Sequence, residues 1–385
     1  MAFSGTVLQI VPRMDAGGAE RTTVEIARAI VAAGGRAIVA TEGGRLEPEL
    51  RDAGAEIRRM PLATKSLVRM WRNRQALIRL IRQERVDIVH ARSRAPAWSA
   101  LWAARRTGAA FITTYHGYYS SKSPLKRFYN SVMARGDAVI ANSEFIADHI
   151  CREYGDRARN VLIIPRGADI GVFSPEKVAE DRIEGLRRAW AIERPGPLVA
   201  LLPGRLTPWK GQSIAIDAAA ALRRSGQGGD FLFILAGDAQ GRMSYVMELK
   251  KRIDAQRVGE QVRIVGHCTD MPAAYSLADI VISTSVRPEA FGRVAVEAQA
   301  MGAPVIAADH GGAQETVVGD VTGWRIPPGD PEALAEALRA FKRMSPVGRM
   351  QMGAAARRHA VENYSIELMC DRTLDAYEEI MSRRI

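Results

Sequence analysis

Short apolar runs rich in β-branched residues alternate with helical patterns along this chain of 385 residues. The first run, TVLQIV (6–11), precedes the amphipathic pattern AERTTVEIARAIVAAG (19–34), and RAIVAT (36–41) follows. The alternation continues with runs at 86–91, 109–116, 137–143, 160–167, 198–205, 231–238, 261–267, 279–285 and 304–312. Strands that alternate with helices pair in parallel, because a helical crossover returns the chain to the same end of the sheet. The sequence therefore predicts an α/β fold with parallel sheets.

The alternation stops at 171–197, a charged segment that contains Pro175, Pro195 and Pro197, and we interpret it as a linker. A chain of this length suits two cores better than one. We predict two tandem, doubly wound Rossmann-like domains at 1–185 and 186–364. A C-terminal helix at 365–385 follows, and the N-terminal domain is one candidate for its docking site. Ligands of such sheets bind at the carboxyl ends of the strands, so we expect the site in a cleft between the two domains.

Composition and cysteine usage indicate an ordinary globular protein of a reducing compartment. Hydrophobic residues make up 47% and charged residues 25% of the chain, and no apolar run approaches the roughly 20 residues that span a bilayer. The apolar run at 7–11 is too short for a signal peptide and predicts a first buried strand. The three cysteines are scattered without metal-site spacing. We therefore expect a cytoplasmic protein.

The positive charge is concentrated in one half of the chain. Residues 1–190 carry a net charge of +11, whereas residues 191–385 carry none. Its focus is 58–85, where nine Lys and Arg residues accompany Glu84 as the one acidic residue. A basic half of this kind predicts an anionic partner.

The segment SLVRMWRNRQALIRLIRQ (66–83) within this basic stretch has helical periodicity. We predict that one face is apolar, and that three arginines lie opposite. The apolar face comprises Leu67, Met70, Trp71, Leu77, Ile78 and Ile81; the arginines are Arg69, Arg72 and Arg79. A basic amphipathic helix with an interfacial tryptophan is typical of binding to anionic membranes, although packing on the sheet also explains the apolar face. Lys122, Lys126 and Arg127 are candidates for further acceptor or lipid contacts.

The stretch RPEAFGRVAVEAQAMGAPVIA (287–307) carries two glutamates, Glu289 and Glu297, around the dipeptide Phe291-Gly292. We predict a strand that ends near 285, a loop that holds Glu289, and a helix that starts near Gly292 and contains Glu297. The first N–H groups of a helix favour anions, and a glycine allows close approach of a ligand. Taken alone, two such glutamates are more often solvated surface residues.

The stretch resembles the E-x7-E signature of retaining glycosyltransferases of family 4, enzymes with the GT-B fold. Further similarities occur in the same order as in that family and cover nearly the whole chain. They are DAGGAERTTVEIA (15–27), TYHG (114–117), VIANSEFIADHI (139–150), IIPRGADIGVF (164–173), GRLTPWKG (204–211) and HGGAQE (310–315). Two departures concern the choice of donor: Ala290 stands where the signature often has glycine, and Gln314 where the last motif often has proline.

The resemblance implies a role for each matching residue. Glu289 is expected to orient the transferred sugar and Glu297 to accept hydrogen bonds from the ribose, while Arg205 and Lys210 face the donor diphosphate. His116 is expected to donate a hydrogen bond to the sugar. Further donor-binding positions are Gly17, Gly18, Gly266, Ala290, Phe291, Gly292, Arg293 and Glu315.

The expected activity is therefore that of a retaining hexosyltransferase. It would move a sugar from a UDP- or GDP-sugar to a lipopolysaccharide core, a lipid-linked acceptor or another anionic glycan. No convincing DXD-like acidic pair is present, so we expect neither a metal ion nor a cofactor, and no nucleic-acid partner. The basic half suggests peripheral attachment to the inner face of the plasma membrane.

Other functions remain open from the residues alone. A nucleotide-sugar epimerase shares the fold, whereas a glycogen-type phosphorylase would need a pyridoxal-phosphate lysine that the sequence does not indicate. A sequence pI near 9.9 is compatible with nucleic-acid binding, but the interleaving of basic and aromatic residues is missing. A glycosidase that uses the two carboxylates is a weaker alternative, because nothing evident separates their pKa values.

Overall fold

The chain folds into two compact units in a computed structural model that describes residues 2–15, 17–119, 123–158, 160–193 and 195–383. The first unit comprises Met1–Arg166 together with Ile366–Ile385, and the second comprises Gly167–Ser365. The chain thus passes between the units after Arg166 and again after Ser365. The first passage precedes the expected domain boundary at 185/186, because the segment after Arg166 packs within the second unit.

The first unit contains a parallel sheet of seven described strands in the order β3-β2-β1-β4-β5-β6-β7. The strands are β1 (Thr6–Ile10), β2 (Arg36–Thr41), β3 (Glu56–Arg59), β4 (Ile88–Ala91), β5 (Ala110–Tyr115), β6 (Ala138–Ala141) and β7 (Val161–Ile163). In the centre, Leu8 of β1 lies opposite Ile38 of β2 and Val89 of β4. Central strands buried on both faces are continuously apolar, which is why the sequence pattern revealed them.

Six helices of the first unit connect these strands. They are α1 (Gly18–Ala32), α2 (Glu47–Asp52), α3 (Leu67–Gln83), α4 (Arg94–Thr107), α5 (Pro124–Asn130) and α6 (Glu144–Tyr154). Ser123 caps α5 by accepting a hydrogen bond from the Lys126 N–H at 3.3 Å, and Ser143 caps α6 through the Ile146 N–H at 3.1 Å.

The second unit contains a parallel sheet of six described strands in the order β10-β9-β8-β11-β12-β13. The strands are β8 (Leu198–Pro203), β9 (Phe231–Ala236), β10 (Val262–Gly266), β11 (Ile280–Ser283), β12 (Val305–Ala308) and β13 (Gly323–Ile326). The helices are α7 (Glu180–Ala189), α8 (Gln212–Arg224), α9 (Met243–Gln256), α10 (Met271–Leu277), α11 (Arg293–Ala300), α12 (Ala313–Thr316), α13 (Pro331–Arg343) and α14 (Pro346–Asn363). Apolar clusters cover both faces of this sheet.

The interpretation of 171–197 as a linker is wrong, because helix α7 lies within it and packs against α10. Ile183 and Leu186 of this helix contact the core of the second unit, and Trp190 after it is only 8% exposed. The prolines that suggested a linker flank the helix rather than interrupt it. The expected boundary at 185/186 therefore falls inside α7.

The last helix, α15 (Ile366–Ser382), belongs to the first unit and packs on α1. Its Tyr377 is fully buried, lies 6.0 Å from Phe3 between ring centroids, and contacts Nδ1 of His90 through its hydroxyl at 2.6 Å. The core of the first unit therefore includes residues from both termini of the chain. In the part of the chain that the structure describes, no helix combines the length and apolar character needed to cross a membrane.

Candidate active site

The sheet of the second unit reverses its winding between β8 and β11, which are neighbours although β9 and β10 separate them in sequence. Loops that leave the carboxyl ends of two such strands diverge and leave a crevice, where ligands of doubly wound sheets bind. The loop after β8 carries Arg205 and Lys210, and the loop after β11 carries Glu289. The topology therefore brings together the two motifs that the sequence singled out.

Lys210 and Glu289 form an ion pair in this crevice. Nζ of Lys210 lies 2.7 Å from Oε1 of Glu289, and the two side chains are only 12% and 18% exposed. The hydroxyl of Ser285 donates a hydrogen bond to the same carboxylate oxygen, and the Trp209 ring lies 4.6 Å below the Lys210 ammonium. A cation and a carboxylate are thus held next to each other with defined orientations, as recognition of a charged, hydroxyl-rich ligand requires.

Close backbone contacts fix these loops against each other. Gly211 has a φ of +74°, and a Cβ atom there would lie 2.0 Å from the carbonyl oxygen of Thr284. The Val286 N–H donates to the Trp209 carbonyl at 2.8 Å. A larger residue at 211 would push the β8 loop away from the β11 loop and separate Lys210 from Glu289.

Gly311 and Gly312, which follow β12, also allow close backbone contacts, here on the other side of Glu289. A Cβ atom on Gly312 would lie 2.3 Å from the Phe291 carbonyl oxygen, and the Gly312 N–H donates to the Glu289 carbonyl at 2.9 Å. These contacts explain why small residues stand at 311 and 312. They support the backbone that carries Glu289.

Glu297 lies on α11, one residue past the first turn, as predicted. Its carboxylate accepts hydrogen bonds from Arg293 at 2.7 Å and from the Tyr275 hydroxyl at 3.2 Å, and its side chain is 12% exposed. Burial, followed by the nearby Glu297 charge, raises the pKa of Tyr275 well above its usual value, so this phenol stays a donor. The carboxylate is held by two donors and has lone pairs left for a further partner.

Gly292 caps the start of α11 in the left-handed conformation, with a φ of +88°. The helix begins at Arg293, so the N–H groups of its first turn lack the acceptor one turn earlier that interior residues have, and the Ala295 N–H donates to the Gly292 carbonyl at 3.0 Å. Phe291 is 4% exposed, and its ring packs on Tyr364 at 5.5 Å, which anchors this end of the helix. Ala290 lies in the same loop, between Glu289 and Phe291.

Two of the remaining predicted donor-binding residues of the second unit, Arg205 and Gly266, lie at strand ends, and Glu315 lies on a short helix. Arg205 follows β8 with an exposed side chain and no ion pair to a described residue. Gly266 ends β10 with a φ of +74° and accepts from the Gly237 N–H at 2.7 Å. Glu315 lies on the short helix α12, where its carbonyl accepts from the Tyr364 hydroxyl at 2.9 Å.

Three further side chains of this crevice were not among the predicted site residues: Ser285, Tyr275 and His310. Ser285 and Tyr275 bind the two glutamates, and Nε2 of His310 lies 2.8 Å from the Ser285 carbonyl oxygen. Ser285 and His310 also line a small pocket with Glu289 and Gly292. Ser285 and His310 could have been predicted from their positions just after β11 and β12, whereas Tyr275 lies on α10 and carries no such signal.

In the first unit, His116 follows β5 and its Nδ1 lies 2.6 Å from the Arg166 guanidinium. Arginine can only donate, so Nδ1 accepts and the proton of the neutral ring is on Nε2. Burial, and then the charges of Arg166 and Arg92, hold the pKa of His116 well below its usual value. The imidazole is therefore a neutral donor through Nε2, which has no described partner.

The predicted glycine loop lies next to this histidine through Arg166. A Cβ atom on Gly18 would lie 1.9 Å from the Arg166 guanidinium, so Gly18 leaves space for that side chain. Gly17 precedes α1, and its carbonyl accepts from the Arg21 N–H at 3.0 Å. Arg166 was not predicted as a site residue, although it lies within the segment IIPRGADIGVF.

Two buried polar residues, Arg92 and Asn142, line a small pocket together with His116 and were not predicted as site residues. Arg92 is 2% exposed and donates to the Gln9 side chain at 2.6 and 2.9 Å, and burial lowers its pKa. Asn142 is 2% exposed, and neither polar atom of its amide has a described partner. Hydrophobic periodicity could not predict these residues, because each is a polar residue that directly follows a buried strand.

The basic stretch 58–85 differs from the prediction in two respects. Leu67 and Trp71 of α3 are 77% and 57% exposed and do not belong to the buried face, which instead includes Asn73. The side chain of Asn73 is buried because it donates to the Pro61 carbonyl at 2.8 Å. Part of the predicted apolar face of α3 is thus exposed to solvent.

Acidic residues do neutralise part of this stretch, contrary to expectation. Arg58 pairs with Glu56 and Glu84 at 2.6 and 2.9 Å, and Arg59 pairs with Glu47 at 2.7 Å. Glu84 lies within the stretch 58–85, whereas Glu47 and Glu56 lie just before it and were not included in its charge count. Among the described residues, Arg69, Arg72 and Arg79 are exposed and have no ion pair.

Of the cations after β5, Lys126 is exposed on α5, and the Arg127 guanidinium is tied to the Glu153 carbonyl. Lys122 lies outside the described residues. No group of three or more His, Cys, Asp or Glu side chains with the spacing of a metal site occurs in the described ranges.

Two family models match consecutive parts of the chain. The model "Glycosyltransferase Family 4" matches residues 16–172, and "Glycosyl transferases group 1" matches residues 187–359. A crystal structure of a glycosyltransferase from Rickettsia africae is 33% identical, with a TM-score of 0.90 over 98% of this chain and 99% of that one. The chain belongs to glycosyltransferase family 4. Its two units with parallel sheets are those of the GT-B fold.

Other similar proteins differ in how much of their length is matched. The D-inositol 3-phosphate glycosyltransferase of Salinispora tropica is 33% identical over 261 residues, which are 65% of this chain and 52% of the relative. The match thus spans about half the length of that curated relative. The Anabaena protein HepE, in a crystal structure with UDP-glucose, is 25% identical, with a TM-score of 0.81 over 98% of this chain and 99% of that one.

Proposed function

We propose that this family 4 member is a retaining hexosyltransferase. It takes a sugar from a UDP- or GDP-sugar and transfers it to a lipid-linked or other anionic glycan acceptor. The observation that carries the proposal is the ion pair of Lys210 and Glu289 at the reversal point of the second sheet. The HepE structure with UDP-glucose supports a UDP-sugar as the first donor to test.

The donor diphosphate is proposed to interact with Arg205, Lys210 and the start of α11. The Arg205 guanidinium is exposed and has no ion pair to a described residue, and Lys210 is oriented by Glu289. The N–H groups at Gly292 and Arg293 favour a negative charge through the helix dipole. Glu297, held by Arg293 and Tyr275, is proposed to accept hydrogen bonds from the ribose hydroxyls.

Glu289 is proposed to orient the sugar, and His116 to donate a hydrogen bond to it through Nε2. When the bond between the anomeric carbon and the diphosphate oxygen breaks, the electron pair leaves with the diphosphate. Arg205 and Lys210 stabilise the charge that develops there. The acceptor oxygen then forms its bond on the same face of the sugar, and its proton passes to the departing phosphate oxygen. Retention follows without a covalent enzyme intermediate.

We propose that this reaction needs neither a metal ion nor a cofactor. Two side-chain cations and a helix N-terminus supply the positive charge that a diphosphate leaving group requires. The proposal includes attachment of the protein to the cytoplasmic face of the plasma membrane. The exposed Arg69, Arg72 and Arg79 of α3 support this attachment.

The experiment combines donor binding with product analysis. Isothermal calorimetry with UDP-glucose, GDP-mannose and ADP-glucose should identify one donor that binds at least tenfold more tightly than the other two. Transfer from that donor to glycolipid acceptors should yield a product with the donor's anomeric configuration, measured by NMR, and 5 mM EDTA should not reduce the rate. A product with the inverted anomeric configuration would exclude the retaining mechanism. Loss of activity in EDTA with rescue by Mn²⁺ would exclude the metal-free route. An isomerised donor without transfer would indicate an epimerase.

A further inference from the structure

Large apolar side chains surround a groove in the first unit that no proposed donor-binding residue lines. The groove has a volume of about 860 Å³. We call it the apolar groove and define it by six of its lining residues: Leu67, Met70, Trp98, Trp102, Leu125 and Phe128. Helices α3, α4 and α5 contribute two of these residues each.

The floor of the apolar groove is buried and hydrogen-bonded, whereas large apolar side chains at its rim are exposed to water. Trp98 is 6% exposed, donates from Nε1 to the Tyr129 carbonyl at 3.1 Å, and stacks on Phe128 at 5.2 Å between centroids. At the rim, Leu67 is 77%, Leu125 79% and Phe128 56% exposed. Clustered exposure of large apolar side chains marks a binding surface.

The charges around the apolar groove have one sign. Lys65, Arg94 and Lys126 line it, and no carboxylate does so among the described residues. A second copy of this chain on the same face would bring these cations against their own equivalents, and like charges across an interface are unfavourable. An amphiphile with a hydrocarbon chain and an anionic head group matches both the apolar walls and the cationic rim.

The position of the groove connects it to acceptor chemistry. Ser93 and Arg94, which line it, follow the carboxyl end of β4, and His116 follows the carboxyl end of the neighbouring β5. The Arg94 guanidinium also stacks on Tyr119 at 4.2 Å, three residues past His116. The apolar groove and His116 therefore lie at the same edge of the sheet of the first unit.

We propose that the apolar groove binds the hydrocarbon chain of a phosphate-bearing, lipid-linked acceptor, with the phosphate on Lys65, Arg94 and Lys126. This inference rests on the proposed function, since it assigns the acceptor class of that enzyme. The groove would bind a single lipid chain, whereas the proposed attachment through α3 involves the surface of a membrane. The substrate is thus held by its chain while its head group remains at the sheet edge.

The test uses the full chain with dodecyl phosphate and hexyl phosphate, each below its critical micelle concentration. Trp98 and Trp102 line the groove, so their fluorescence should report binding. Each methylene that is buried contributes about fourfold in affinity, so dodecyl phosphate should bind at least a hundredfold more tightly than hexyl phosphate. Equal affinity for the two chain lengths would overturn the proposal.

Variants of exposed rim residues test the location without disturbing the core. The double variant Leu67→Gln/Leu125→Gln should weaken dodecyl phosphate binding by about a hundredfold, roughly tenfold for each leucine. The matched control is Val347→Gln/Met350→Gln on α14, where the side chains are 57% and 68% exposed, and it should bind as the wild type does. Equal weakening in both double variants would show non-specific adsorption and overturn the site.

Two further measurements separate this inference from its alternatives. Sedimentation of the wild type and the Leu67→Gln/Leu125→Gln variant should show the same oligomeric state; loss of a dimer with unchanged dodecyl phosphate affinity would make the groove an interface and sink the proposal. If UDP-glucose binds and sugar transfer occurs but dodecyl phosphate does not bind, only this inference fails. If dodecyl phosphate binds as expected and no nucleotide sugar does, the groove stands and the proposed function fails.

Discussion

Lys210 and Arg205 lie at the same strand end but differ in how they are held. Lys210→Ala removes a cation and leaves Glu289 without its 2.7 Å partner, whereas Arg205→Ala removes an exposed side chain. We expect each change to lower kcat/KM by roughly tenfold to a hundredfold, because a hydrogen bond to a charged group contributes about 1.5–3 kcal/mol. The exposed Lys250→Ala is the matched control and should retain full activity. Wild-type kcat/KM in both variants would mean that the diphosphate binds elsewhere.

His90 should make the first unit sensitive to acid. It is fully buried between the Tyr377 hydroxyl and Thr114, and burial holds its pKa well below the usual 6.5. Because the folded pKa is depressed, the unfolded chain binds the proton first, and stability is present above pH 6.5 and lost as pH falls below it. The free energy of unfolding should fall by about 1.4 kcal/mol per pH unit from this residue alone.

Urea unfolding of the wild type and of His90→Gln at pH 7.5, 6.0 and 5.0 measures this effect. The variant should be less stable at pH 7.5, since it loses packing, but its stability should decline less steeply toward pH 5. Parallel pH profiles for the two proteins would rule out a neutral, buried His90 as the source.

At the level of single residues, the sequence predicted the charged groups of the crevice but not their pairing. Lys210 and Glu289 are 79 residues apart and were assigned to different parts of the donor, because only the order of β8 and β11 brings them together. Arg92, Asn142 and Arg166 were missed for another reason. Their full or partial burial depends on tertiary packing, and an isolated polar residue after a strand has the same sequence signature as a solvated one.

Among the loops, the glycine pair at 311 and 312 determines where Glu289 lies. In Gly312→Ala, the new Cβ would collide with the backbone of Phe291, so the Glu289 loop or α12 must move. We expect a loss of about 1–3 kcal/mol in the free energy of unfolding and a larger relative loss in kcat/KM. Gly319→Ala is a suitable control, because nothing lies within 4 Å of the added atom. Unchanged activity in Gly312→Ala would show that the position of Glu289 is not critical.

Helix α3 should contribute to membrane attachment through its exposed arginines. Changing Arg69, Arg72 and Arg79 together to Gln should lower binding to vesicles rich in anionic lipid by roughly two orders of magnitude, at about 1 kcal/mol per residue. Salt should weaken the wild-type interaction, and neutral vesicles should not bind.

The control for α3 removes three exposed cations from the second unit: Arg223, Lys250 and Lys251, each changed to Gln. It alters the net charge equally and should leave vesicle binding intact. If both triple variants lost binding to the same extent, net charge rather than α3 would be responsible.

Helices and strands were predictable from the sequence where their burial requires a regular pattern of apolar residues. Elements without such a pattern were missed. The edge strands β3, with the sequence EIRR, and β13, with GWRI, were missed because they are short and only half covered. Helix α7 was missed because the prolines around it dominated the pattern. The central strands and α11 appeared as expected, since apolar runs and a glycine cap specify them locally.

On the scale of the whole molecule, the two units should differ in their ability to fold alone. Residues 167–365 contain all strands of the second sheet and the helices on both of its faces. A fragment of these residues should give a cooperative thermal transition by circular dichroism. A fragment of residues 1–166 should not, because it lacks α15 and exposes the core around Phe3 and His90. A folded 1–166 fragment would show that α15 is dispensable.

The membership of α15 in the first unit has a consequence for synthesis on the ribosome. N-terminal domains usually fold first as the chain emerges. Here the N-terminal segment must wait for a helix that begins 200 residues after Arg166, while the second unit is already complete when Ser365 emerges. We therefore expect the exposed core of the first unit to bind chaperones during translation. The second unit therefore has its complete sequence available for folding before the first unit does.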